Sequence, residues 1–182
     1  QNRMLLVASY VFYGAWDWRF LGLILISTAT DYLVSLRMDS SRDEVLRRRL
    51  LTLSLAINLG ILGIFKYLGF FVESFTAFLD RLGFAVDPLD LNIVLPVGIS
   101  FYTFQTLSYS IDVWRRVIKP TRDFGDFALY VAFFPQLVAG PIERAKNLLP
   151  EIQTPRRVTW DGVSRGAVLC LIGLIKKVVI AD

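Results

Sequence analysis

Residues 95–115, LPVGISFYTFQTLSYSIDVWR, constrain this chain more than any other stretch, because they are apolar enough to enter a bilayer and yet carry polar groups along their whole length. Pro96 falls where a first helical turn tolerates proline: the N–H it lacks is one that a helix start leaves unpaired, so the spacing predicts a helix beginning here. At 100° per residue, Val97, Phe104, Leu107 and Ile111 form one apolar stripe. Tyr102, Thr103, Gln105, Thr106, Ser108, Tyr109, Ser110 and Asp112 take most of the remaining circumference. Hydroxyls, amides and carboxylates are costly against hydrocarbon, so the lipid face should be narrow and the polar surface should meet protein or a water-filled cavity. The same pattern allows a plainer role, in which the hydroxyls bond the carbonyls of the preceding turn and hold helices together.

Of the 182 residues, 54% are hydrophobic and 14% aromatic, above the apolar share of a soluble domain. The fold class expected is all-α, a polytopic membrane protein with several transmembrane helices, a surface helix and a re-entrant segment. The net charge is +4, but Lys and Arg fall in short clusters between apolar runs, as topology signals do, so the expected partner is the lipid bilayer and not nucleic acid. Cys170, the single cysteine, lies in an apolar run and reads as a small buried hydrophobe. Histidine is absent, which removes the commonest general base and metal ligand, and no metal site is expected. The chain opens in an apolar run without a signal-peptide cleavage pattern, and VVIAD ends it inside another. Residues 1–182 are therefore expected to be one incomplete membrane domain of a longer protein.

In chain order, residues 4–13 are apolar and Trp16, Asp17 and Trp18 follow as an interfacial group. Residues 20–36 form the next run, with Asp31 expected to be solvated or capped near the helix end. Residues 37–49 carry Arg37, Arg42, Arg47, Arg48 and Arg49 against three acids, which puts this loop in the cytoplasm. Residues 50–68 cross outward, with Lys66 and Tyr67 reaching the headgroups. Residues 70–82 have helical periodicity but too much charge to span, so a surface helix is expected, followed by an acidic outer loop with Asp80, Asp87 and Asp90. The polar helix returns inward to Arg115, Arg116, Lys119 and Arg122. Residues 124–140 lie between two basic loops and contain Pro135, Gly140 and, just beyond, Pro141. A segment that breaks there and turns back is expected, its non-helical backbone covered by protein or water; an ordinary kinked span is the alternative. Residues 161–182 form the last helix, with Lys176 and Lys177 at a depth the pattern leaves open.

No metal-ligand spacing, phosphate-cradling glycine loop or Ser/His pair is present, so the residues alone reach only a polytopic membrane protein with a polar internal path. Two strings add more. LPVGISFYTFQTLSYSIDVWR followed by FFPQLVAGPIERAKNLLP resembles the bacterial branch of the membrane-bound O-acyltransferase family, most closely its alginate O-acetyltransferase type. GIFKYLGFF at 63–71 and IKKVVIAD at 175–182 resemble it as well. The resemblance implies a multi-pass enzyme of the inner membrane. It would pass an acyl group, usually acetyl, from a cytoplasmic donor such as acetyl-CoA or an acyl-carrier thioester to a hydroxyl of an extracytoplasmic polysaccharide, alongside partner proteins on that side. The family's catalytic histidine has no counterpart here, so the implied residues are walls only. Tyr102, Gln105, Gln136, Gly140, Pro141 and Glu143 would line the tunnel or its mouth. Gln105 and Gln136 could present N–H groups to an acyl carbonyl, and Arg115, Arg116 and Arg144 could attract the donor's phosphates. A transporter or permease module without chemistry is the competing reading.

Overall fold

The computed structural model describes residues 1–84 and 94–181, and every regular element among them is helical. Asp87 and Asp90 of the expected acidic loop lie outside these residues.

Helix α1 (Asn2–Asp17) ends because Asp17 is extended, φ −159° and ψ 112°, with its carboxylate accepting from the Arg19 N–H and pairing with the Arg19 guanidinium at 2.7 Å. A 3₁₀ turn (Trp18–Phe20) leads into α2 (Leu21–Ser40). The Asp43 carboxylate caps α3 (Glu44–Leu62) by accepting from the Val45 N–H at 2.9 Å. From α3 the backbone passes through a π-helical turn (Gly63–Tyr67) into α4 (Leu68–Arg81). Two helical runs, Asn2–Ser40 with its interruption at Asp17 and Glu44–Arg81, are long and apolar enough to cross a membrane.

The second run differs from expectation. A span at 50–68 and a separate helix at 70–82 were expected, but the backbone never leaves helical geometry between them. No proline interrupts the donors there, and Gly60, Gly63 and Gly69 are taken up in α3, the π turn and α4 without a gap. Its 38 residues measure about 57 Å, against about 30 Å of hydrocarbon.

Helix α5 (Ile99–Trp114) is the polar helix, and it packs between α2 and α3. It begins three residues later than Pro96 suggested, because Gly98 adopts φ 72°, a left-handed conformation open to glycine, and turns the chain just before the helix. Thr103, Gln105, Thr106, Tyr109, Ser110, Asp112 and Tyr102 are all buried, as the helical wheel required. The apolar stripe is corrected at one position. Leu107 is buried, and Phe101, 37% exposed, joins Phe104, 47% exposed, on the open face.

After α5 come α6 (Phe124–Ala132) and α7 (Phe134–Ala139), then α8 (Ala145–Gln153) and α9 (Trp160–Ile175) with a closing π turn (Lys176–Ala181). The break expected around Pro135 is present, but it falls at Phe133, with φ −58° and ψ 100°. In a continuous helix the Pro135 ring would collide with the carbonyl four residues back; breaking at Phe133 puts it in the first turn of α7 instead. Neither piece is long enough to span. Residues 127–132 of α6 are entirely buried, walled in by α1, α2, α5 and α8, whereas at and after the break Phe133 and Phe134 are half-buried and Pro135 and Val138 are exposed.

In α9 every residue but Gly166 is exposed. This corrects the reading of Cys170, which is exposed and not buried: its apolar neighbours Leu169, Leu171 and Ile172 are exposed too, so no face of the run is buried against the other described residues.

Candidate functional site

Two buried polar constructions flank α5. On one side, the Gln105 amide N–H donates to the Tyr130 carbonyl at 2.7 Å, and the Tyr130 hydroxyl donates back to the Gln105 carbonyl at 3.3 Å. The same hydroxyl lies 3.3 Å from the Glu143 carbonyl, so Tyr130 ties α5 and α6 to the chain beyond α7. In α7 the Gln136 amide N–H donates to the Pro141 carbonyl at 3.1 Å, and the Gly140 N–H returns to the Gln136 carbonyl at 2.9 Å. A Cβ on Gly140 would come within 2.9 Å of the Gln136 Cα, so this tight return admits only glycine. Five of the six expected wall residues thus belong to two hydrogen-bonded sets: Gln105 and Glu143 through Tyr130, and Gln136, Gly140 and Pro141 among themselves. Tyr102 is fully buried on the same helix. Both glutamine amides donate to backbone carbonyls, and the depressions of about 890 and 520 Å³ at the end of the protein that holds the start of α6 are lined by other residues.

The second construction was not anticipated. Asp31 is fully buried, which corrects the expectation of a solvated or capped carboxylate. Its Oδ1 accepts from the Ser54 hydroxyl and, at 3.1 Å, from the Ser110 hydroxyl, while its Oδ2 accepts from the Asn58 amide at 2.8 Å. The Asn58 carbonyl in turn accepts from Ser27 at 2.5 Å and Thr106 at 3.4 Å. Nearness to a helix end does not expose Asp31 to solvent, because α3 and α5 close over it. A usable signal was present: Ser27/Asp31, Ser54/Asn58 and Thr106/Ser110 are three polar pairs, each four residues apart, and so each on one face of its own helix. Three such faces can satisfy one another only by meeting.

The basic residues divide by role. Arg47 is corrected from a topology signal to a buried group, 2% exposed. Its guanidinium donates to the Met38 carbonyl at the end of α2, and to the Val113 and Trp114 carbonyls at the end of α5 at 3.3 and 2.6 Å. One arginine therefore closes the C-termini of two helices, where unpaired carbonyls and the helix dipole favour a cation. Arg116 takes φ 61° and forms the left-handed residue of a Schellman turn, with the Val117 N–H on the Asp112 carbonyl at 2.9 Å; its guanidinium pairs with Glu44 at 2.6 Å. Arg115 and Arg144 are exposed.

The chain is similar along its whole length to proteins that carry the name "Probable alginate O-acetylase AlgI". The Azotobacter vinelandii protein is 42% identical over 184 residues, covering all of this chain and 36% of that protein. The Pseudomonas aeruginosa protein is 40% identical, covering all of this chain and 35% of that protein. A peptidoglycan O-acetyltransferase of Helicobacter pylori is 31% identical over 204 residues, covering 98% of this chain and 38% of its own length. The chain thus spans about a third of the length of the curated relatives it matches. No family model and no solved structure matches it.

Proposed function

We propose that this chain belongs to the membrane-bound O-acyltransferase family of the alginate O-acetylases and forms part of the membrane domain of an enzyme acetylating a polysaccharide. The observation that carries the reading is 40–42% identity to alginate O-acetylases along the entire chain. The acceptor would be an alginate-like polymer outside the inner membrane, and the donor a cytoplasmic acetyl thioester. In this arrangement the end holding Arg42, Arg115, Lys119 and Arg122 faces the cytoplasm, following the bias of basic residues to that side.

Acetyl transfer to a sugar hydroxyl needs a base to take the hydroxyl proton and donors to hold the tetrahedral oxyanion. The chain has no histidine, so we assign the base to residues beyond these 182. What these residues contribute is shape. The Gln105–Tyr130 clasp and the Gln136–Pro141 return fix the broken α6–α7 backbone at depth, and Tyr102, Gly140 and Glu143 form the wall beside it. Arg115 and Arg144 stand exposed to meet the donor's phosphates, together with Arg116 if it exchanges Glu44 for them.

The test is to delete the gene for the full-length protein in cells that export an acetylated polysaccharide. Acetyl ester per unit of polymer should fall to background while polymer yield is kept, and return on complementation. Loss of polymer export with unchanged acetyl content would favour the transporter reading instead.

A further inference from the structure

The geometry points to a phosphate-binding pocket formed by Lys119, Arg122 and Lys146 at the basic end of the protein, distinct from the buried constructions on α5. The depression of about 520 Å³ that these three cations line has Ile118 and Leu149 among its apolar walls and no carboxylate among its described lining residues. That separates it from its neighbours. The depression of about 890 Å³ mixes Arg3, Arg156 and Arg157 with Asp123 and Asp126. The one of about 320 Å³ adjoins the proposed pocket, sharing Ile118 and Lys119; there Arg47 is committed to backbone carbonyls, Arg116 pairs with Glu44, and Asp39 lines the same depression as Arg42 and Lys119.

The pocket is built, and not merely decorated with surface charge. Residues 119–122 are held at three points: the Thr121 N–H donates to the Tyr109 hydroxyl at 3.2 Å, Gln153 donates to the Thr121 hydroxyl at 3.0 Å, and the Tyr32 hydroxyl donates to the Arg122 carbonyl at 2.6 Å. Pro120 and Thr121 are buried. A fixed loop therefore presents Lys119 and Arg122 opposite Lys146 on α8, and among the described residues none of the three forms an ion pair with a carboxylate. Holding like charges together without a counterion is unfavourable, and a ligand with two or more anionic oxygens relieves it; Arg122 can engage such a group bidentately, the lysines as point charges. An apolar wall beside such a charge cluster at a membrane surface suits the phosphodiester of an anionic lipid headgroup, and the same cations would accept a soluble phosphate. The inference stands on this geometry and does not need the acetyl-transfer reading.

The test uses the full-length protein in neutral detergent at low salt, with binding followed by tryptophan fluorescence. Dihexanoylphosphatidylglycerol is the headgroup probe, inorganic pyrophosphate the soluble one, and dihexanoylphosphatidylcholine the uncharged control. At least one anionic probe should bind saturably and about tenfold more weakly to K119Q/R122Q/K146Q, with R48Q/R49Q, outside the pocket, within about twofold of the parent. R122Q and K146Q alone should each weaken binding by about twofold to fivefold, which keeps the test available if the triple variant does not fold. Binding of phosphatidylglycerol alone assigns a lipid headgroup, of pyrophosphate alone a soluble ligand, and of both the phosphate itself. No binding of either probe by the parent protein, or equal weakening by R48Q/R49Q, overturns the proposal.

Discussion

Gln105 and Tyr130 hold one another reciprocally, each side chain donating to the other's backbone carbonyl, at 2.7 and 3.3 Å. The clasp joins the one helix with a polar circumference to the short buried helix beside it, and both carbonyls are shut away from water.

Gln105→Leu leaves the Tyr130 carbonyl without its partner and should cost about 1–3 kcal/mol, read as a lowered melting temperature in detergent. Insertion into the membrane should persist, and polysaccharide acetylation by the complete protein should drop in Gln105→Leu and in Gln136→Leu. Unchanged acetyl content in both variants removes the wall assignment.

Asp31 and Asn58 complement each other as acceptor and donor, and exchanging them tests it. Asn58→Asp alone sets two carboxyl groups face to face in a closed site and should be the most destabilising change. Adding Asp31→Asn restores a donor opposite an acceptor and should recover part of the loss, a coupling of about 0.5–3 kcal/mol. Strictly additive effects in the double variant would mean that the cluster is not the unit described.

Arg47, Arg48 and Arg49 are adjacent in sequence and separate in burial, with only the first enclosed. Arg47→Met strips a charged donor from the ends of α2 and α5 and should destabilise by several kcal/mol, while Arg48→Gln and Arg49→Gln should each change stability by about 0.5 kcal/mol or less. Equal melting temperatures for the three variants would contradict the capping role.

Orientation is accessible by labelling in a background with Cys170→Ser. A cysteine at Ser40 should resist an impermeant maleimide in intact cells and react after permeabilisation, whereas one at Asp87 should react in both. Reaction at Ser40 in intact cells would invert the proposed topology.

The burial of seven polar side chains on α5 followed directly from the helical period, because a polar group has one tolerable direction in hydrocarbon and position on a helix fixes direction. The break before Pro135 was equally legible, since a proline removes a donor wherever it stands, although the sequence did not say that the chain would bend two residues earlier. Roles that depend on what lies opposite were not legible. Asp31 looked like the end of a helix, and Arg47 looked like one of a row of arginines, until Asn58 and two helix C-termini were found facing them.

The sequence by itself determined that the chain is helical and membrane-directed, and which side of α5 must be hidden, because those follow from local periodicity and the cost of bare polar groups. Only the tertiary structure decided which polar groups satisfy one another: the Asp31 cluster, the Gln105–Tyr130 clasp and the double cap of Arg47 join residues as few as 9 and as many as 79 positions apart. Hydrogen bonds are short-ranged and directional, so their partners are chosen by helix packing and not by any pattern along the chain.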